Sequence, residues 1–324
     1  MAIFKVYKLH FTTPVHFGDC RGDYGISQRT IQSDTLYAAL TSSLSKLGIE
    51  IPGNGDLGFT ISSLFPYYQI GEHGQPVYFL PRPKKLNLLE EKDIEQRKKI
   101  KKISWLDVKY FEEVINGCAP QHVLASDIQG EFLSYKKIDD KFICNQTQER
   151  VTVSRTGIED AKPFYMDRVA FKEYSGLYFI AEGNTALLDK ALSLLQYEGI
   201  GTDRNVGNGI FKYQTDNIEI KLPDSYNGQM SLSIYIPSNQ EELDLMLAGK
   251  NLAYDFVRRG GWITTYPYNT LRKNFVYAFT PASVFGLYSP TETKGKIVDL
   301  GVDVPGLNHP IYRCGRSLFI PINI

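Results

Sequence analysis

The chain has 324 residues, 43% of them hydrophobic, which is enough apolar sequence for two ordinary domains with separate cores. Its 36 basic and 36 acidic side chains cancel, so a nucleic-acid site must be a local patch rather than a property of the whole surface. The four cysteines are scattered and form no Cys-x-x-Cys pair, which argues against a zinc knuckle or a disulfide framework and favours a reducing cytoplasm.

The first predicted elements are a strand, a loop and a helix. Residues 1–11 indicate a β-strand rather than a signal peptide or membrane span, because Lys5 and Lys8 interrupt the apolar run. A glycine-containing bend follows, and Ser33 is a plausible N-cap of a helix that Gly48 ends. The helix has apolar residues at helical spacing, namely Leu36, Leu40, Leu44 and Leu47.

A predicted strand at residues 76–81 precedes a strongly charged segment at 84–102. A solvated helix or surface excursion explains such a run without any ligand, and RNA contact by its basic end is the alternative. The charged segment therefore does not help to assign a function.

The region from 149 to 220 predicts a regular alternation of elements. Strand-like segments lie at 150–155, 169–172 and 176–181, with a long hairpin before the last of them. A helix follows at 185–197 and a strand at 210–220. With the opening elements, the order strand, helix, strand, strand, helix, strand is that of ferredoxin-like folds and of RNA-recognition domains.

A turn-rich break after Leu222 places a domain boundary there, giving a ferredoxin-like domain at 1–222 with insertions and a C-terminal domain at 223–324. The second domain has a predicted helix near 239–248. Its predicted strands are 230–236, 252–257, 274–279, 296–300 and 311–322. The fold class is α+β; a degraded second copy of the first unit fits this order, although the halves are too dissimilar to prove a repeat.

A glycine-rich loop at 199–209 has four glycines in eleven positions around Arg204. Glycine permits positive φ and close backbone approach, so amide N–H groups can converge on phosphate oxygens while Arg204 supplies charge. The loop lacks the Gly-Lys-Ser/Thr end of a P-loop, and it leaves a helix instead of opening one as a dinucleotide site does. Taken alone, it is equally well a C-cap at Gly199 followed by a flexible hairpin.

Several features together resemble the RAMP superfamily of CRISPR proteins, most closely the type III-A Csm-complex subunit that binds the crRNA 5′ tag. They are the Pro-Val-His-Phe-Gly bend at 14–18, the helix at 33–40, the hairpin before 177–179, the glycine loop, and Arg-Arg-Gly-Gly-Trp at 258–262. The glycine loop is common to RAMP proteins, whereas the other features favour the Csm-complex subunit over other members of the superfamily.

The resemblance implies tandem ferredoxin-like (RRM-like) domains with a thumb-like β-hairpin and a non-catalytic, cytoplasmic RNA-binding subunit of antiviral defence. The implied partners are crRNA, gripped by its 5′ repeat-derived tag, the large polymerase-like Csm subunit and a neighbouring backbone RAMP subunit. It implies no catalysis by this subunit, and no cofactor, metal or membrane contact is expected.

The resemblance also assigns candidate RNA-binding residues. The main phosphate-binding set is Gly199, Gly201, Arg204, Asn205, Gly207 and Gly209. Further candidates are His16, Gly18 and Arg21 in the bend, Ser33 at the helix start, Arg155 and Arg168 beside the hairpin, and Arg258, Arg259 and Trp262.

Each further candidate has an ordinary structural alternative. His16 fits equally well as a hydrogen-bonded core histidine, Ser33 as a simple N-cap, and Trp262 as a core residue. Asp34 would repel phosphate. Arg313 and Arg316 are expected at the surface, either in solvent or facing the partner subunit.

Two other functions compete. A metal-independent RAMP endoribonuclease that processes pre-crRNA would use His10 or His16 as general acid or base, but its glycine loop lies near the C-terminus, whereas more than a hundred residues follow Gly209 here. A small-molecule enzyme is the other. The five histidines show no metal-ligand spacing, and there is no Gly-x-Ser-x-Gly motif.

Overall fold

The computed structural model describes residues 1–18, 24–84, 94–118, 120, 123–154, 157, 160–249, 251–286 and 295–323, and for 94–97 the backbone alone. In these residues, no helix has the length and apolar character needed to cross a membrane.

Residues 1–222 form a large sheet, a long hairpin and four helices within the described ranges. The strands are β1 (Ala2–Phe11), β2 (Phe59–Ile61), β3 (Phe65–Tyr68), β4 (Val77–Pro81), β5 (Trp105–Asp107), β6 (Ile128–Gln129), β7 (Phe132–Leu133), β8 (Ile143–Thr152), β9 (Lys162–Phe171), β10 (Gly176–Gly183) and β11 (Phe211–Ile220). The helices are α1 (Ser33–Lys46), α2 (Ile94–Lys102), α3 (Val108–Ile115) and α4 (Thr185–Glu198).

The large sheet has the strand order β11-β1-β10-β3-β4-β5-β7-β6, and β2 also pairs with β10. β1 lies between β10 and β11 and is antiparallel to both, with Val6 opposite Ile180 and Asp216. Along the chain, β1, α1, β3, β10, α4 and β11 follow the predicted order of strand, helix, strand, strand, helix and strand.

The two faces of the sheet bury different partners, because successive strand residues point to opposite sides. Tyr7 and Leu9 pack in one core with Leu40 of α1 and Leu192 of α4. Val6 lies in the other core, together with residues from beyond position 222, including Met230 and Leu232. The C-terminal region therefore covers the sheet face opposite α1 and α4.

The C-terminal region consists of short strands and one described α-helix. The strands are β12 (Gly228–Ser231), β13 (Phe256–Arg259), β14 (Val276–Phe279), β15 (Val284–Gly286), β16 (Ile297–Asp299), β17 (Tyr312–Cys314) and β18 (Phe319–Ile322), and the helix is α5 (Gln240–Met246). They form the sheet β15-β12-β18 and the pairs β13-β14 and β16-β17.

The predicted α+β class is confirmed. A complete ferredoxin-like unit has two helices, and the described part of the C-terminal region has one. The second ferredoxin-like domain and the boundary at 222 stay predictions.

Two predicted elements differ in detail. Leu47 does not extend the buried stripe of α1, because it is the exposed C-cap residue and Gly48 turns the chain with φ +73°. The predicted strand at 311–322 is two strands with different partners, because β17 pairs with β16 and β18 pairs with β12. Between them, Gly315 packs against Ile236. A Cβ at Gly315 would lie 2.4 Å from the Cβ of Ile236.

The hairpin of β8 and β9 confirms the prediction of a long hairpin before β10. Its strands pair from Ile143 opposite Phe171 to Thr152 opposite Lys162. A bridge between Val15 and Val169 joins the hairpin to the bend after β1. The hairpin is thereby fixed beside the segment that leads out of β1.

The charged segment forms a solvated helix where the structure describes it. In α2, Ile100 is buried, while Lys98, Lys99, Lys101 and Lys102 are exposed. The interpretation of a solvated helix is confirmed for these residues.

Candidate nucleic-acid interface

The glycine loop, residues 199–209, is anchored on the bend that follows β1. α4 begins at the N-cap Asn184, whose side chain accepts a hydrogen bond from Leu187 N, and ends at Gly199. Gly209 N then donates to Pro14 O at 2.9 Å, and Thr202 N donates to His16 O at 3.0 Å. Both ends of the loop are therefore held by the main chain of the bend.

Three of the four glycines are required by this packing. Gly199, Gly201 and Gly209 have φ values of +74°, +98° and +76°, which L side chains rarely adopt. A Cβ at these positions would lie 2.7 Å from Asn208 O, 2.6 Å from His16 O and 2.0 Å from Ile200 O, respectively. Their first role is close packing of the chain on itself, and the predicted C-cap at Gly199 is present.

The tip of the loop, residues 204–207, has a different environment. Arg204, Asn205 and Val206 form one turn of 3₁₀ helix, and all three are exposed. Gly207 has φ +83°, and a Cβ placed there would meet no atom within 4 Å. The backbone is thus accessible to a ligand at the tip, beside an exposed guanidinium.

The β8-β9 hairpin contacts the glycine loop through two arginines. Arg150 forms an ion pair with Asp203, and Arg168 Nη1 donates to Asn208 Oδ1 at 3.5 Å. The Nε of Arg168 is buried and has no hydrogen-bond partner among the described atoms. The hairpin and the loop therefore share one surface that carries Arg150, Arg168 and Arg204, whereas Arg155 lies outside the described residues.

Arg150 was not among the sequence-predicted site residues. Its position in the predicted hairpin was the available signal, but the partner Asp203 is 53 residues away. Only the folded chain brings these two side chains together.

The bend after β1 supports the loop with its backbone. His16 is 1% exposed, and its Nδ1 lies 2.6 Å from Asp167 O, a distance at which the ring nitrogen donates to the carbonyl. His16 is therefore a hydrogen-bonded core histidine and not an RNA contact, because a buried ring is not available to a ligand. Gly18 is exposed, and Arg21 lies outside the described residues.

Ser33 is buried at the start of α1 and is already hydrogen-bonded. Its Oγ accepts from Ile234 N at 2.9 Å, and its N–H donates to Ser63 Oγ at 2.9 Å. The C-terminal region thus covers this helix end, and the predicted phosphate contact of Ser33 has no open path. The N-cap position belongs to Gln32.

Arg259 and Arg313 form a buried cluster with Asp34 instead of facing a ligand. Arg259 Nε and Nη2 donate to the two carboxylate oxygens at 2.7 and 3.0 Å, and Arg313 Nη1 donates to Oδ2 at 2.8 Å. Burial alone would raise the pKa of Asp34, but the two guanidinium groups outweigh it and hold this pKa below its ordinary value. The predicted RNA contact of Arg259 and the predicted surface position of Arg313 do not agree with this arrangement.

Lys273 adds a further cation beside this cluster. Burial and the charge of Arg313 lower the pKa of Lys273 to about 8, and Asp34 opposes this shift. The cluster therefore places one carboxylate among three basic side chains. Its arrangement serves to join α1 to the C-terminal region.

The remaining candidates lie around the β13-β14 pair. Arg258 is exposed, and the centre of its guanidinium lies 3.8 Å from the ring centroid of Phe275. Trp262 is half-buried, with Arg272 at 5.1 Å from its ring centroid. Of the Arg-Arg-Gly-Gly-Trp segment, Arg258 presents the exposed charge. The described residues contain no cluster of three or more side chains suited to bind a metal ion.

Comparisons with known proteins support a CRISPR-related family. The family model of the CRISPR Csm4 C-terminal domain matches residues 224–322. The chain is 27% identical over 337 residues to the CRISPR system Cms protein Csm4 of Streptococcus thermophilus, covering 98% of this chain and 99% of that protein. It is 25% identical over 249 residues to the Csm4 of Thermococcus onnurineus, covering 71% of this chain and 75% of that protein.

Solved structures give the same fold. A chain of a crystal structure of a Csm1-Csm4 cassette in complex with pppApA matches with a TM-score of 0.59 at 18% identity, covering 100% of this chain and 99% of that one. A chain of the Csm3-Csm4 subcomplex of a type III-A CRISPR-Cas interference complex matches with a TM-score of 0.60 at 17% identity, covering 99% of this chain and 100% of that one.

These matches confirm the resemblance to RAMP-type CRISPR proteins that the sequence predicted. The chain is thus similar over nearly its whole length to Csm4 proteins, and its residues 224–322 match the Csm4 C-terminal domain.

Proposed function

We propose that the chain is a non-catalytic RNA-binding subunit of a type III-A Csm effector complex and that it grips the repeat-derived 5′ tag of crRNA. The observation that carries this proposal is the open tip of the glycine loop. Close packing holds Gly199, Gly201 and Gly209, while Arg204, Asn205 and Gly207 remain accessible. A rigid base with an exposed basic tip suits a phosphate backbone, which needs close main-chain approach and positive charge.

The hairpin extends the proposed surface. Arg168 lies against the loop at Asn208 and is partly exposed, so its guanidinium adds positive charge beside the loop tip. Arg150 adds charge, although Asp203 neutralises part of it. RNA that lies between the hairpin and the loop tip would meet Arg168 and Arg204 together.

The proposal includes two protein partners. The matched solved structures are a Csm1-Csm4 cassette and a Csm3-Csm4 subcomplex. By this likeness we propose that the chain docks to the large polymerase-like subunit and to a neighbouring backbone RAMP subunit. The net charge of zero is compatible with a chain whose surface is largely covered by partners.

The proposal assigns no chemical step to this chain. A histidine acting as general acid or base on RNA must reach the 2′-hydroxyl or the leaving oxygen. The ring of His16 is buried and hydrogen-bonded to Asp167 O, so it is not placed to act as a general acid or base on RNA. The experiment below also distinguishes this proposal from a nuclease that processes pre-crRNA.

The test is affinity purification of the tagged chain from its native host, followed by identification of co-purifying proteins and sequencing of RNA 5′ ends. The variants are Arg204→Ala and, as a control, Lys190→Ala on the exposed side of α4. We expect a large subunit, other RAMP subunits and RNAs with one shared repeat-derived 5′ end, which Arg204→Ala reduces and Lys190→Ala leaves intact. A lone chain without RNA contradicts the proposal, and a lone chain bound to cleaved repeat stems favours the nuclease.

A further inference from the structure

The β13-β14 pair has one buried and one exposed face. Side chains of alternate residues point to opposite sides of a strand. Val257 and Val276 face inward and pack around Ile234 and Ile236, together with the buried Ala278. On the opposite side Phe279 packs against Tyr235 and Phe285. The other members of that side, Phe256, Arg258, Phe275 and Tyr277, are exposed to solvent and are called the aromatic face below.

The rings of the aromatic face are unusually exposed for their size. Phe256, Phe275 and Tyr277 are 66%, 52% and 57% exposed. A contiguous exposed group of large apolar side chains marks an interaction site, because isolated apolar residues at a surface are ordinary but a cluster is not. The aromatic face is therefore a candidate binding surface.

Contacts within the aromatic face hold the rings in place. Arg258 is directly opposite Tyr277 in the register, and its guanidinium covers one side of Phe275. Tyr277 contacts Phe256 at a centroid distance of 6.0 Å and 87°, and Phe275 at 5.9 Å and 86°. In a perpendicular pair, the ring whose edge makes the contact keeps both faces clear of its partner, and all three rings are more than half exposed. A flat π-system can stack there with little loss of side-chain freedom.

The local charge selects the class of partner. In a chain of zero net charge, residues 251–281 contain four basic side chains, Arg258, Arg259, Arg272 and Lys273, and a single acidic one, Asp255. Asp255 is paired with Lys84, and Arg259 is bound to Asp34 inside the protein. The exposed Arg258 and Arg272 thus give this side of the C-terminal region a positive character.

We propose that the aromatic face binds single-stranded RNA, with bases stacked on Phe256, Phe275 and Tyr277 and the phosphate backbone held by Arg258. Aromatic side chains combined with a basic surface are the usual means of binding single strands with little base preference. This contact rests on the proposed function, since it adds to an RNA-binding subunit a second site that is separate from the glycine loop.

The experiment measures binding of fluorescein-labelled oligoadenylate and oligouridylate to the full chain by fluorescence anisotropy. The variant is Phe275→Ala combined with Tyr277→Ala, and the matched control is Tyr226→Ala, an exposed tyrosine in the turn before β12. We expect the double variant to bind both probes roughly tenfold more weakly, with an unchanged salt slope because no cation is removed. Arg258→Ala is expected to lower that slope by about 0.7.

A second measurement does not depend on the variants being folded. The wild-type chain is irradiated with oligouridylate that contains thiouridine, and the crosslinked peptides are identified by mass spectrometry. Adducts on β13 and β14 support the proposal, and adducts confined to other segments overturn it.

The outcomes separate this proposal from the proposed function. Unchanged affinity of the double variant overturns the aromatic-face proposal. Unchanged affinity with loss of a co-purifying protein subunit overturns it in favour of a protein-docking surface. If the double variant weakens RNA binding while Arg204→Ala leaves the crRNA 5′ ends unaltered, the aromatic face stands and the tag-gripping proposal fails.

Discussion

The glycine loop and the Arg-Arg-Gly-Gly-Trp segment look alike in sequence but differ in structure. Both combine arginine with glycine, and both were predicted to bind RNA. In the loop, the packed glycines leave Arg204 exposed at the tip. In the other segment, Arg259 is used inside the protein, where it is bound to both oxygens of Asp34.

The difference lies in where each arginine finds its partner. Asp34 is 225 residues from Arg259 along the chain, so no local sequence pattern predicts this ion pair. Arg204 has no ion pair within the part of the chain that the structure describes. An arginine next to glycines is therefore a candidate ligand contact only after its internal partners are known.

The largest expected effect tests the internal role of Arg259. Asp34→Ala removes the carboxylate between Arg259 and Arg313 and leaves buried cations uncompensated. We expect a loss of about 3–5 kcal/mol in the free energy of unfolding, measured by denaturant titration. The control Glu198→Ala breaks the exposed pair with Lys46 and should cost about 0–1 kcal/mol. Equal losses of unfolding free energy in the two variants would show that the buried Asp34 cluster stabilises the fold no more than an exposed ion pair does.

A second prediction separates packed from open glycines within the loop. Gly207→Ala introduces a side chain at φ +83° into open space and should cost about 1–2 kcal/mol of unfolding free energy. Gly209→Ala has a similar φ but places its Cβ 2.0 Å from Ile200 O, and so should cost about 1–3 kcal/mol more. Thermal or denaturant unfolding measures both, and equal effects would contradict the division of the loop into a packed base and an open tip.

The third prediction concerns the pH dependence of the buried cluster. The pKa of Lys273 is lowered from 10.5 to about 8 in the folded state. Between these values the unfolded chain binds more protons, so the contribution of Lys273 to stability rises with pH in that window. At pH values below about 8, the folded chain instead carries an unfavourable buried charge.

Lys273→Met removes this charge. We expect the variant to be more stable than the wild type at neutral pH by about 1–2 kcal/mol, allowing for partial solvent access, with the gap narrowing as pH rises from about 8 toward 10.5. Unfolding titrations at several pH values measure the gap. Parallel pH profiles for the two proteins would contradict an unfavourable charge on Lys273.

The smallest expected effect on stability belongs to the loop tip. Arg204→Ala should change the free energy of unfolding by no more than about 0.5 kcal/mol, because the side chain is exposed. The same variant should reduce the salt dependence of RNA binding by about 0.7 in the logarithmic slope, the value for one lost phosphate contact on a single strand. A large loss of stability without a change in slope would assign Arg204 a structural role like that of Arg259.

Much of the order of elements was determined by the sequence itself. The helical spacing of Leu36, Leu40 and Leu44 predicted α1, and alternating apolar residues predicted β11, because these signals depend on neighbours within a few positions. The family resemblance also came from local motifs. Boundaries were less exact where the chain changes its pairing partner, as between β17 and β18.

Only the tertiary structure decided which polar side chains are used internally. His16, Ser33 and Arg259 carried the residue types of an RNA site, yet each is bound to a distant part of the chain, at Asp167, Ile234 and Asp34. Conversely, the exposed aromatic face arises from pairing of β13 with β14, across the segment that contains the Arg-Gly-Gly-Trp motif. Burial and hydrogen bonding of these side chains depend on contacts between distant parts of the chain. Such contacts cannot be predicted from the periodicity of the local sequence.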